Sequence, residues 1–176
     1  LFVNADTTDT NNLSDLWGYT ENDDGTLTIT RYRGKEEKVI IPKQIDGKDV
    51  TIIGQEAFCY NIYIRSLKLP NTLKEIKNGA FLNTPLEYVE ISESIELLGA
   101  YSFANCKNLK TVVIFSSNLE LNVGCYPLEL MPFANDTNLT IYYPKNSMTE
   151  EQLFLYDWSF SENCNFIAIN DLIGDM

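Results

Sequence analysis

The feature that most constrains this chain is a repeat built from two interleaved series. Ala57-Phe58, Ala80-Phe81, Ser102-Phe103 and Pro132-Phe133 set phenylalanines 23, 22 and 30 residues apart. Beside them run Ile41-Pro42, Leu69-Pro70, Ile91-Ser92, Phe115-Ser116 and Tyr143-Pro144, each closing a short β-rich stretch. Apolar residues follow at recurring offsets, Leu73 and Ile76 in one copy and Ile95 and Leu98 in the next. The unit reads Leu-x-x-Val-x-Ile-Pro-x-x-Leu-x-x-Ile-x-x-x-Ala-Phe-x-x-Cys. Two series that keep step over four or five copies mark a repeat architecture.

A unit of about 22 residues makes one turn of a coil with one brief strand in it. Successive strands then stack in parallel about 4.8 Å apart. Alternation predicts that Val39/Ile41, Leu67/Leu69, Val89/Ile91, Val113/Phe115 and Ile141/Tyr143 face the core. A proline lacks an N–H and ends the strand. The chain then crosses the edge and returns, and the Ala-Phe pair docks each ring against the ring of the next coil. Phenylalanines in such a ladder are core packing.

Two units depart from the period. Extra residues at Gln44-Ile45-Asp46-Gly47-Lys48-Asp49 read as a hairpin with its turn at Asp46-Gly47. The unit from Ser116 to Phe133 is too long by about seven residues, with Asn122 to Pro127 inside it. An insertion must leave the stack, so this loop is expected to protrude, as a tolerated insertion or, alternatively, as a contact loop anchored by Tyr126. The open ends of a solenoid need covers. Leu13, Leu16, Trp17 and Tyr19 are the candidates at the front. At the back, Ser147 and Glu150 form a capping box before Leu153, Phe154 and Leu155, followed by Trp158, Phe160 and a strand-like Asn165 to Ile169.

Composition removes several chemistries. The chain has no histidine, which excludes Ser–His–Asp and Cys–His nucleophile pairs and histidine-containing zinc sites. The net charge of −12 belongs to the two ends: before Arg31 and after Lys145 there are acids but no bases, and the stretch between holds 13 of each. Such a chain repels nucleic acid and anionic lipid. No apolar run approaches the roughly 20 residues that span a bilayer. Val3-Asn4-Ala5 fits the small-residue pattern of a signal-peptidase site and points to export. Cys59, Cys106, Cys125 and Cys164 lack metal-ligand spacing and sit at different offsets of the repeat, so stacking alone pairs none of them. Cys106, three residues after Phe103, shares its column with Asn61, Thr84 and Asp136, and a buried thiol is expected there.

On these motifs the chain resembles the BspA-like (Treponema-type) leucine-rich repeats of bacterial surface and secreted proteins. Ile52-Ile53-Gly54-x-x-Ala57-Phe58 and Leu98-Gly99-x-x-Ser102-Phe103 carry the family's Ile-Gly-x-x-Ala-Phe element. Asp24-Gly25-Thr26-Leu27-Thr28-Ile29-Thr30 is similar to the strand that precedes its repeats. The resemblance implies an α/β leucine-rich-repeat solenoid of short parallel strands with little regular helix. Its expected organisation is an N-terminal cap over residues 1–24, a solenoid over 25–144 and a C-terminal cap over 145–176. It further implies an extracellular or cell-surface location, adhesion or ligand binding, and neither catalysis nor a cofactor.

The remaining candidate is the outward side of the sheet. With Val113 and Phe115 facing inward, the middle outward row is Ile40, Lys68, Glu90, Ile114 and Tyr142, and the next is Lys38, Ser66, Tyr88, Val112 and Thr140. Lys68 and Glu90 would then pair across adjacent strands. Tyr88, Val112, Ile114 and Tyr142 would form an apolar patch that binds a protein partner, a host or matrix ligand or a neighbouring part of the same polypeptide. A structural spacer and a glycan-binding module are the alternatives.

Overall fold

The computed structural model describes residues 13–122, 131–136, 138–155 and 164–169. A short helix, α1 (Leu13–Leu16), leads into β1 (Trp17–Glu21), which pairs antiparallel with β2 (Leu27–Tyr32). The expected turn between them is present, with Gly25 at φ +80°. The coils then supply β3 (Lys38–Ile40), β4 (Gln44–Ile45), β5 (Lys48–Ile53), β6 (Ser66–Lys68), β7 (Glu75–Ile76), β8 (Tyr88–Ile91) and β9 (Leu97–Leu98). They continue with β10 (Thr111–Ile114), β11 (Glu120–Leu121) and β12 (Thr140–Tyr143), before helix α2 (Met148–Leu155) and β13 (Asn165–Ala168).

These strands build two walls. One is a parallel sheet in the order β3-β6-β8-β10-β12-β13. The opposite wall runs β1-β2-β5-β7-β9-β11, parallel after its first pair. The return leg of a coil thus adds a second strand, of two residues from β7 onward, to the one that alternation reveals. β4 folds back on β5 as a hairpin, as expected, with Asp46 at φ 52° and Gly47 at φ 76° in the turn.

Between the walls stack the rings. Phe58, Phe81, Phe103 and Phe133 lie 4.7, 5.1 and 5.5 Å apart between centroids, close to the strand spacing. The column continues at the front through Tyr32, 5.2 Å from Phe58, and Trp17, 4.6 Å from Tyr32. All these rings are buried. The Ile-Gly motif has its reason in the same stacking. A Cβ on Gly54 would stand 2.8 Å from the Ile29 carbonyl oxygen, and one on Gly99 would stand 2.5 Å from the Asn78 nitrogen. Coils stacked this closely leave no room for a side chain there.

The register corrects one expectation. Val112 and Ile114 pair with Val89 and Ile91 and are fully buried, whereas Val113 and Phe115 point outward. Thr111 to Phe115 is apolar on both sides of its pleat after the first residue, so alternation within it cannot choose a face. The choice is made by the neighbouring strands and by Leu109, which is buried three residues before Val112.

Both described ends are covered. Trp17 is buried, and Leu16 and Tyr19 pack against the core. The Tyr19 hydroxyl donates to Asp46 at 2.6 Å and ties the front cap to the hairpin. At the back, the Ser147 hydroxyl accepts from the Glu150 N–H at 3.1 Å. The Glu150 carboxylate accepts from the Asn146 N–H at 2.6 Å, one residue earlier than in a standard capping box. α2 then covers the edge of the return sheet: the Thr149 hydroxyl donates to the Ser116 carbonyl at 2.6 Å and accepts from the Leu119 N–H at 3.0 Å. Leu153 is buried beneath it. Residues 1–12, the loop with Cys125 and Tyr126, and Trp158 and Phe160 lie outside the described residues.

Candidate interaction surface

A solenoid wall turned to solvent is defined by the residues that alternate with the core rows. In register these are Ile40, Lys68, Glu90, Val113, Tyr142 and Ile167 in one row, and Lys38, Ser66, Tyr88, Thr111, Thr140 and Asn165 in the other. The first row is charged at β6 and β8 and apolar at β10, β12 and β13. β13 prolongs this wall beside β12 and does not fold over it.

The expected site residues therefore separate. Tyr88 is 38% exposed and Tyr142 half-buried, both on the outer wall. Val112 and Ile114 are core residues and leave the patch; Val113 and Phe115 replace them. Phe115, 44% exposed, stands where the other coils carry Pro42, Pro70, Ser92 and Pro144. Its backbone N–H still donates to Ile91 at 2.9 Å, so the sheet holds the strand end while the ring faces out. The unit pattern Leu-x-x-Val-x-Ile, started at Leu109, selects Val112 and Ile114 for the core. That signal was available in the sequence.

The electrostatics of this wall also differ from expectation. No ion pair joins Lys68 to Glu90. Glu90 instead accepts the Tyr88 hydroxyl at 2.5 Å on its own strand. Burial, and then the Glu90 carboxylate, push the Tyr88 hydroxyl up to about 12, which keeps it a neutral donor. Ion pairs between coils lie elsewhere: Arg65 bridges Glu37 at 3.7 Å and Glu87 at 3.1 Å, and Lys74 meets Glu96 at 2.7 Å. All are exposed and contribute little to stability.

Among the described residues no group of three His, Cys, Asp or Glu side chains could hold a metal ion. No helix among them is long and apolar enough to cross a membrane. Cys59, Cys106 and Cys164 are free thiols, and Cys106 is fully buried. Burial, and next the nearby Asp136, push the Cys106 thiol up to about 12, which makes it a poor nucleophile. The wall thus offers shape, rings and a few hydrogen-bonding groups.

Comparison with known proteins bears on the same geometry. No curated protein sequence matches the chain significantly. A leucine-rich-repeat protein of Treponema pallidum is similar at 22% identity and a TM-score of 0.52, covering 74% of this chain and 70% of its own. One from Bacteroides capillosus shares 21% identity with a TM-score of 0.50 over 87% of this chain and 94% of its own. The pneumococcal vaccine antigen PcpA shares 17% identity with a TM-score of 0.50, and the match spans 85% of this chain but 47% of that antigen. These likenesses establish the fold. The profile of the BspA-type leucine-rich repeat region matches residues 35–163 in six copies. The chain belongs to the BspA-type leucine-rich-repeat family.

Proposed function

We propose that this chain is a secreted or cell-surface module that presents an adhesion or protein-interaction surface and carries out no catalysis. One observation carries the reading: Val113, Phe115, Tyr142 and Ile167 put apolar and aromatic groups on the outside of three adjacent strands, where the fold needs none. Rings anchored on a rigid sheet lose little entropy on binding, which is why tyrosine and phenylalanine are enriched at contact centres. Display outside the cell agrees with the family and with the antigen that shares this fold. Residues 25–144 act in this reading as one rigid scaffold between an N-terminal cap of 1–24 and a C-terminal cap of 145–176.

The test is an array of extracellular-matrix proteins and glycans probed with the purified chain. Binding to a protein spot that is lost in Phe115→Asp/Tyr142→Asp, with unchanged circular dichroism, supports the proposal. Equal retention by the variant removes this wall from the site. Capture by glycans alone replaces protein adhesion with glycan binding, and no capture favours the spacer.

A further inference from the structure

One edge of the solenoid follows a rule in three coils and breaks it in a fourth. Two residues after each ladder phenylalanine the chain adopts a left-handed conformation, with φ of 57°, 57° and 62° at Asn83, Asn105 and Asn135. Asparagine tolerates this region readily, and bulky residues adopt it rarely. The first of these coils places Tyr60 there at φ 58°, with 69% of the residue exposed. Its backbone N–H donates to Leu82 as that of Asn83 does to Ala104, so stacking dictates the backbone and has no use for the ring. Ile62 is 71% and Tyr63 39% exposed just beyond it. The coil of Phe103 has Lys107 and Asn108 at the matching positions. Three apolar side chains therefore stand in water where the coil of Phe103 carries Asn105, Lys107 and Asn108.

The surroundings are cationic. A groove of about 540 Å³ is lined by Arg31, Arg33, Lys35, Tyr60, Ile62 and Tyr63, with Glu56 at its edge and the Glu36 carboxylate held by the Tyr32 hydroxyl beside it. The Lys35 ammonium lies 6.0 Å from the centre of the Tyr63 ring, and Arg33 donates to the Asp15 carbonyl at 3.3 Å. None of the three cations has an ion-pair partner among the described residues. On a chain of net charge −12 these exposed cations oppose the overall field.

We infer that this groove docks an acidic peptide segment bearing apolar side chains. The cations select carboxylates. The aliphatic Ile62 needs an apolar partner, which a polyhydroxylated sugar and a sugar-phosphate backbone both lack. This surface is distinct from the outer wall formed by Val113, Phe115 and Tyr142, so either can fail alone.

The test uses fluorescence anisotropy of the full chain with a fluorescein-labelled peptide alternating Glu with Leu and Phe. Its Gln-for-Glu counterpart and a labelled polyglucuronate of equal charge serve as controls. The acidic peptide should bind, more weakly as salt rises, with the counterpart and the sugar each at least about tenfold weaker. Tyr60→Asn/Ile62→Lys/Tyr63→Asn installs the residues of a later coil, so it should fold normally and yet lose about tenfold or more of the affinity. Arg33→Gln/Lys35→Gln should weaken binding several-fold and flatten its salt dependence. Phe115→Asp/Tyr142→Asp should leave it unchanged. No binding by the wild type, equal binding of the sugar, or full retention by the triple variant would overturn the inference.

Discussion

Two columns run through the same coils three residues apart, one of phenylalanines and one of small polar groups. Phe58, Phe81, Phe103 and Phe133 solve the same problem with the same ring in every coil. Asn61, Thr84, Cys106 and Asp136 each solve it differently. The Asn61 amide donates to the Gly34 carbonyl and accepts from the Tyr63 and Ile64 N–H groups. The Thr84 hydroxyl donates to the Phe81 carbonyl at 2.8 Å and lies 3.2 Å from the Cys106 thiol, which is 3.3 Å from that same carbonyl. Asp136 is fully buried, and neither carboxylate oxygen has a hydrogen-bond partner among the described residues. Dispersion is non-directional, so an apolar column can repeat without change. A buried polar column needs a partner at each step, and its last member has none among the described residues.

The largest test of this contrast removes a ring. Phe81→Ala takes away a side chain stacked on both sides, and should cost about 3–5 kcal/mol of unfolding free energy in chemical denaturation. A cost below about 1 kcal/mol would mean that the ladder is not the stabilising column.

The next test concerns Asp136. Burial pushes its carboxyl up to about 8, and the nearby Cys106 backbone dipole, too far for a hydrogen bond, and the Lys110 charge offset only part of that. A carboxyl whose folded-state value is raised binds more protons folded than unfolded. Its contribution is therefore full below about pH 4, where the unfolded chain is protonated too, and is lost as pH rises through 8. Within that window the wild type should lose stability relative to Asp136→Asn by about 1.4 kcal/mol per pH unit, with no further divergence above it. Parallel stability curves for the two proteins would show that Asp136 has a partner after all.

Thr149 provides the smallest test, because its hydroxyl satisfies two backbone groups at the end of the return sheet. Thr149→Val keeps the shape but strands the Leu119 N–H and the Ser116 carbonyl, for an expected loss of about 1–3 kcal/mol. Amide exchange at Leu119 should quicken with it. Unchanged exchange there would show that the edge is closed by other contacts.

Some of this was legible in advance and some was not. The paired series, the Ala-Phe ladder, the hairpin at Asp46-Gly47 and the buried Cys106 were readable because each rests on a local rule applied at a known offset. The outer wall was misread at one strand. In Thr111 to Phe115 every residue but the first suits either face, and a slip of one residue exchanges the whole set. The break at Tyr60 left no mark in composition. An exposed tyrosine looks ordinary until its backbone angle and the asparagines of the other coils are set beside it.

By itself the sequence determined that the chain coils, how many residues each coil takes and which ring fills it, because spacing and hydrophobicity act along the chain. Only the tertiary structure decided where the return strands lie, how the Thr149 hydroxyl closes an edge and that Ser102 and Asp136 are the buried side chains without a hydrogen-bond partner among the described residues. Those outcomes depend on what the neighbouring coil presents. A residue's burial and hydrogen-bond partners in a solenoid come from the turns above and below it, about 22 residues away.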